Sequence, residues 1–298
     1  MWTIQKVKRK NLNVEKYTQA IDEALNYRVY AEVWYLDLLT KNQWECWIYG
    51  DYEVVMPIPL QYKFGIKFVL QPIYCQQLGV FYKQEISDEL FQAFEKKLHQ
   101  YRVRAYHFNE ENTERYQPKG EKKVNYLLDL NLPYEQIFEN YSKGRRKDIR
   151  KSERLGVQVR STQDLKNHKE LFQQYYAHLE KYGKKKFKGN YSNTLIKKGA
   201  LKIFDLFDKE NNLLASQMFL ISKRRKICLG FVRNKHIEQH NASAFAKDHL
   251  IRVLAGQNDY IDFEGSMHPT IAKFMEGFGP MKKHYTHYSN FSSIKDFF

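Results

Sequence analysis

Tyr260-Ile-Asp-Phe-Glu-Gly-Ser-Met-His-Pro-Thr-Ile-Ala-Lys-Phe-Met-Glu-Gly-Phe-Gly279 is the stretch on which the reading of this chain turns. It scans as a short strand, a Gly265-Ser266 break, a helix started by Pro269 and an end closed by glycines. Asp262 and Glu264 are two apart, so a strand would turn both to one side and Phe263 to the other. Burying charge costs several kcal/mol unless it is paired. Two acids in an apolar strand therefore mark a candidate site, with pairing to a lysine or capping of the Pro269 helix as the other reading. Ser266 is the better cap for that helix.

Around this run the chain has 298 residues, enough for two ordinary domains, and 43% of them are apolar, enough to fill real cores. The 22 tyrosines suit half-buried positions where a ring packs and a hydroxyl finds a partner. A net charge of +15 favours anionic partners such as RNA, phosphorylated small molecules or an acidic surface. Cys46, Cys75 and Cys228 are odd in number and widely spaced, which argues against a disulfide framework. The charged start, Met1 to Lys10, is not followed by an apolar region, and no apolar run approaches the ~20 residues of a membrane helix. The expectation is a cytoplasmic protein with no integral membrane segment.

Upstream, helical spacing recurs from Asn13 (Val14, Tyr17, Ile21) and over Ala31–Thr40. Strand-like runs follow at Trp44–Tyr49, Glu53–Leu60, Lys67–Leu70 and Gln76–Phe81, then a helix capped by Ser87 with Leu90, Phe91, Phe94 and Leu98 on one face. Strands at Arg104–Phe108 and Val124–Leu130 close this half, and Asn131-Leu-Pro133 breaks it. The domains are thus expected at 1–132 and 133–298, with a last strand near His284–Tyr288 that can return to the first.

The second half opens on a helical segment and a basic run, Lys143 to Arg154, stopped by Gly156. A strand begins at Val157, and Ser161 and Asp164 start a helix carrying Leu165, Phe172, Tyr175 and Leu179. Three strands, Leu201–Phe207, Leu213–Ile221 and Lys226–Val232, are joined by hairpin-length polar links and read as antiparallel. A helix after Asn241 turns Phe245, Ala246, His249, Leu250, Val253 and Leu254 inward. Each half thus has a meander of strands, then a helix, then a strand, an outline that suggests duplication.

Arg146-Lys-Asp-Ile-Arg-Lys-Ser-Glu-Arg-Leu-Gly-Val157, with Asp262-Phe-Glu-Gly-Ser266 and Phe274-Met-Glu-Gly-Phe-Gly279, resembles the Fem-type peptidoglycan aminoacyltransferases and their GNAT-like relatives. The resemblance covers nearly the whole C-terminal half. It implies an α+β fold of two tandem GNAT-like domains, each a mostly antiparallel mixed sheet flanked by helices, with a cleft between them. It implies attack by an amine on an activated ester or thioester, with acyl-CoA or aminoacyl-tRNA as donor and no tightly bound cofactor. The acceptor would be an anionic small molecule or a peptidoglycan precursor, and tRNA a possible partner. In this chain the stretch Arg233 to Ala242 has no glycine where coenzyme A binders place a glycine loop, and Met275 stands where Fem enzymes usually carry a lysine.

On that resemblance Glu264 and Asp262 are the catalytic candidates, orienting or deprotonating the amine. Arg145, Arg146, Arg150 and Lys151 come from a run with seven Lys or Arg among twelve residues. Arg146 and Arg150 share a face at i,i+4 and can hold a phosphate or carboxylate, against the plain reading of a solvated face. Arg233 near a helix N-terminus, Lys273 and Ser266 complete the substrate-binding set. Lys184-Lys-Lys-Phe-Lys188 reads as a solvated loop, and no metal site is expected from His236 and His240. An N-acyltransferase is the leading reading. An aminoacyl-tRNA-dependent transferase of peptidoglycan precursors and a non-catalytic nucleic-acid-binding protein are the alternatives.

Overall fold

The computed structural model describes residues 3–176, 190–238 and 240–291. The chain begins with β1 (Gln5–Lys8), α1 (Val14–Asp22) and α2 (Val33–Thr40). A meander follows, β2 (Trp44–Tyr49), β3 (Val54–Lys63) and β4 (Ile66–Leu70), then β5 (Phe81–Tyr82), α3 (Asp88–His99), β6 (Val103–Phe108), α4 (Glu110–Tyr116) and β7 (Glu121–Asp129). The second half contains α5 (Tyr134–Glu139), α6 (Lys143–Arg154), β8 (Gln158–Thr162), α7 (Lys166–Tyr176), α8 (Asn190–Lys197), β9 (Leu201–Phe207), β10 (Leu213–Ile221) and β11 (Arg225–Arg233). It ends with α9 (Ala242–Leu254), β12 (Tyr260–Asp262), α10 (Pro269–Glu276) and β13 (Met281–Tyr288). Leu179 and the Lys184 to Lys188 run lie outside the described residues.

Two compact units result, one of residues 1–124 and 283–298, the other of 125–282. In the first, the strand order is β1-β2-β3-β4-β6-β13, with β5 on β3. All pairs are antiparallel except β4 with β6. In the second, the order is β7-β12-β11-β10-β9-β8, and β11 with β12 is the parallel pair. Each unit therefore repeats one device: a three-strand antiparallel meander, a crossover helix (α3 or α9), and a strand parallel to the last of the meander. The outline seen in the sequence is a topological duplication.

The local chemistry explains most elements. Ser87 accepts a hydrogen bond from the Leu90 N–H and caps α3, whose Leu90, Phe91, Phe94 and Leu98 are buried. Trp44 and Trp47 are core residues, 2% and 0% exposed; three apart, they face opposite sides of β2, which is buried on both faces. The expected strand over Gln76–Phe81 forms only at its end. Gly79 adopts φ +127, Leu78 makes an isolated bridge to Phe108, and the Asn112 side chain bonds the Val80 N–H and carbonyl instead of a strand partner. The inner face of α9 also differs from the apolar pattern. Val253 is exposed, while Lys247 and Asp248 are buried beside Ala244, Leu250 and Ile251.

Candidate functional site

The strand that opens the decisive run stops at Asp262. Glu264 and Gly265 follow with φ +59 and +53, both left-handed, so the strand alternation ends before Glu264 and does not set it beside Asp262. Asp262 makes this turn. Its Oδ1 accepts from the Glu264 N–H at 2.9 Å and from Asn125 Nδ2 at 3.1 Å, and its Oδ2 accepts from Arg225 Nη1 at 3.0 Å. A carboxylate 1% exposed with both oxygens engaged is a positioning group. What it positions is Glu264, half-buried and held in a backbone conformation that costs a non-glycine residue about 1 kcal/mol. Ser266 is not the N-cap of α10. That position is His268, and Ser266 Oγ accepts from the His268 N–H at 3.1 Å two residues ahead of it.

The glycines and phenylalanines at the end of the run form a cradle for one arginine. The Ser142 N–H bonds the Gly277 carbonyl at 2.9 Å, and Ser142 Oγ caps α6 at the Arg145 N–H. This brings the Arg145 guanidinium over the rings of Phe274 and Phe278, 4.1 and 4.5 Å from their centroids. Arg145 Nη2 donates to the Phe274 carbonyl at 2.8 Å, and Nη1 lies 3.3 Å from Asp148 Oδ2. A Cβ on Gly277 would come within 3.2 Å of the guanidinium. At Gly279, φ +70 and an Asn140 carbonyl 2.7 Å from a would-be Cβ leave room for glycine alone. Arg145 is 7% exposed, its Nε is without a partner, and burial draws its pKa below the usual arginine value.

Its neighbours in the basic run do other things. Arg146 donates to the Glu139 and Tyr141 carbonyls and closes the C-terminal end of α5. Arg150 is exposed and lies over the Phe138 ring, and Lys151 pairs with Glu238 at 3.2 Å. Arg233, at the end of β11, and Lys273, on α10, are both exposed. Of the predicted cations, only Arg145 is buried.

A second buried cation was not singled out from the sequence. Lys247 on α9 is 6% exposed, and its Nζ donates to Gln217 Oε1 at 2.8 Å and to Ser243 Oγ at 3.2 Å. The Phe231 and Phe274 rings stand 5.5 Å away, and among the described residues no carboxylate pairs with it. Burial lowers its pKa, and the nearby Arg145 charge lowers it further. The readable signal was a lysine with Ser243, Ala244, Leu250 and Ile251 at i±3 and i±4, a position on the packed stripe of the helix.

Cys228 on β11 ties these groups together electrostatically. Burial pushes its thiol up to about 12, Lys247 opposes the shift, and Asp262 and Glu264 add to it. The sulfur therefore stays protonated near neutrality and is a poor nucleophile. Arg145 and Lys247 stand against the same Phe274 ring, and among the described residues Arg145 has a carboxylate, Asp148, against it while Lys247 has none.

No family model matches the sequence, and no curated protein matches it. Solved structures do match. FemX superposes with a TM-score of 0.69 at 10% identity, covering 96% of this chain and 97% of that one. The C-terminal domain of a putative lysylphosphatidylglycerol synthetase from Agrobacterium fabrum gives 0.57 at 10% identity, over 96% and 93%. L-PGS from Bacillus licheniformis gives 0.52 at 14% identity, over 95% and 94%. These likenesses establish the fold, which the chain shares with FemX along nearly its whole length. Among the described residues no helix is long and apolar enough to cross a membrane.

Proposed function

We propose that the chain is an N-acyltransferase that moves an aminoacyl group from an ester donor to an amine. The observation that carries this reading is Lys247, a buried ammonium met by an amide, a hydroxyl and two ring faces, on the scaffold FemX shares. A structural lysine so deeply buried calls for a carboxylate partner. A catalytic one is better left for the charge that develops in the transition state. The amine nitrogen attacks the ester carbonyl carbon, and the carbonyl electron pair moves onto oxygen, where Lys247 and Arg145 stabilise it. Glu264 takes the proton released by the nitrogen. The pair then re-forms the carbonyl, the C–O bond to the leaving group breaks, and Glu264 returns the proton to the departing oxygen.

The stretch ahead of α9 supports an ester donor over coenzyme A. It has no glycine, and its polar groups are engaged by α6: Ser152 Oγ donates to the His240 carbonyl, and Asn241 Nδ2 reaches the Asp148 carbonyl. Without glycine the stretch lacks the close backbone approach by which such a loop brings its N–H groups to a pyrophosphate. The net charge of +15 suits an RNA-linked donor.

The test offers the purified chain labelled aminoacyl-tRNA or labelled acyl-CoA, each with a nucleotide-linked muropeptide carrying a free amine. Product formed from the charged tRNA, and lost in Glu264→Gln, is the expected result. Product from acyl-CoA alone would move the donor assignment to the thioester. Failure of both donors, with salt-sensitive RNA binding unchanged in Glu264→Gln, would replace the enzyme by a nucleic-acid-binding protein.

A further inference from the structure

The hairpin between β3 and β4 breaks two rules at its tip. Tyr62 pairs with Lys67 and Lys63 with Ile66, leaving Phe64 and Gly65 as a two-residue turn with φ +51 and +74. This is the geometry for which Asn-Gly or Asp-Gly is strongly preferred, because an L residue with a Cβ resists the first left-handed position. A phenylalanine is a poor choice for that backbone. It is also a poor choice for that exposure, since Phe64 is 82% accessible, with Tyr62 at 55% and Ile66 at 40% beside it. The Lys63 ammonium sits 5.3 Å from the Phe64 ring. The aromatic tip does not serve the core, and a sequence that violates local preference without a packing return marks a functional position.

The charge around the hairpin says what covers it. Lys8 pairs in register with Glu45, and Trp44 with Pro59, so the hairpin leaves the sheet at the end that carries Lys8, Lys10 and Lys41, all exposed. The nearby acids are already neutralised, Glu45 by Lys67 at 2.7 Å and Asp37 by Arg9 at 2.7 Å. An aromatic and aliphatic tip that enters the headgroup boundary, backed by lysines that face phosphates, matches an anionic bilayer surface. We propose that residues 61–67 form a finger that docks this chain on anionic phospholipid membranes. This goes beyond the acyl-transfer reading and does not depend on it, since docking is measured without any substrate.

The full chain is mixed with vesicles of equal parts phosphatidylglycerol and phosphatidylcholine, and with pure phosphatidylcholine vesicles, and sedimented. Binding to the anionic vesicles alone, weakened by salt and reduced about tenfold or more in Tyr62→Ser/Phe64→Ser/Ile66→Ser, is the expected result. The three side chains are exposed, so an unchanged thermal midpoint shows that the variant folds. Independently, Phe64→Trp places a reporter at the tip, and its emission should shift to the blue on the anionic vesicles. An absence of vesicle binding, undiminished binding of the triple variant, or an unshifted tryptophan would each overturn the proposal. So would equal binding to phosphatidylcholine, which would point to a partner other than an anionic surface.

Discussion

Two buried cations, Arg28 in the first unit and Lys247 in the second, are treated in opposite ways, while Lys226 in the second unit keeps a buried carboxylate, Asp259, at 2.5 Å. In the first, Arg28 is 4% exposed and saturated: Nη2 meets Glu110 at 3.1 Å and Glu111 at 2.5 Å, and Nη1 meets the Tyr27 carbonyl at 2.9 Å. Gln77 and the buried Asn26, Asn109 and Asn112 extend this network into the core. In the second unit, the partners of Lys247 among the described residues are neutral, and Arg145 has ring faces, a carbonyl and the half-exposed Asp148. A buried charge with its counter-charge holds a structure together. One without it is available to a ligand. The difference separates two roles that the residue types alone do not distinguish.

Arg28→Met attacks the saturated side and has the largest expected effect. It leaves Glu110, 3% exposed, without its cation, and should lower the unfolding free energy in urea by about 3–5 kcal/mol. Lys247→Met should cost little stability, because it removes a desolvated ammonium and leaves no buried carboxylate behind. If Lys247→Met destabilised the chain as much as Arg28→Met, the contrast would collapse.

The pH dependence adds one histidine to each side. Burial drives His107 and His168 down to about 4, against about 6.5 when unfolded. Both are neutral in the native state, so their stabilisation is complete above pH 6.5. It is lost as pH falls toward 4, where the unfolded chain binds protons that the folded chain refuses. Each contributes about 3 kcal/mol over that window. Unfolding curves between pH 7 and 4 should show the loss, and His168→Gln should remove its share of the slope.

For transfer itself, Lys247→Met should slow the acyl step about 100-fold, the scale of losing one oxyanion donor. The rate of the parent should fall at alkaline pH below the ordinary lysine range, because burial lowers the Lys247 pKa. Lys247→Arg should move that limb upward, and an unmoved limb would assign it to another group. The smallest effect belongs to Glu264→Gly. Freed of left-handed strain at φ +59, the backbone should gain about 1 kcal/mol, set against the interactions the Glu264 side chain gives up, while activity is lost. A destabilised Glu264→Gly would show that the side chain, not strain, dominates at this position.

Much of the fold was legible because it rests on local signals. The polar links between β9, β10 and β11, the Ser87 cap of α3 and the Pro269 start of α10 act over a few residues, and each appeared where it was read. β1 and α4 were not anticipated: Gln5–Lys8 alternates weakly, and Glu110–Tyr116 is polar, with its burial arising from the Arg28 network. For the candidate site the sequence offered residue types and spacing, and the structure adds the partners of each side chain. Arg146 and Arg150 looked like the pair to bind an anion, because i,i+4 spacing does not reveal that Arg146 closes the end of α5. Strand spacing does not reveal that the two oxygens of Asp262 are engaged by Asn125, Arg225 and the Glu264 N–H.

From the sequence alone come the two-part α+β plan, the positive field, and the Tyr260–Gly279 run as the place to look. These follow from periodicity, capping and charge, which the chain carries along its own length. Only the tertiary structure shows that Phe274, Gly277 and Phe278 pack around Arg145, and that Phe274 also faces the buried Lys247. Whether a charge is paired, buried or left open depends on residues ~100 positions apart meeting in space, and desolvation acts on that meeting, not on the order of the chain.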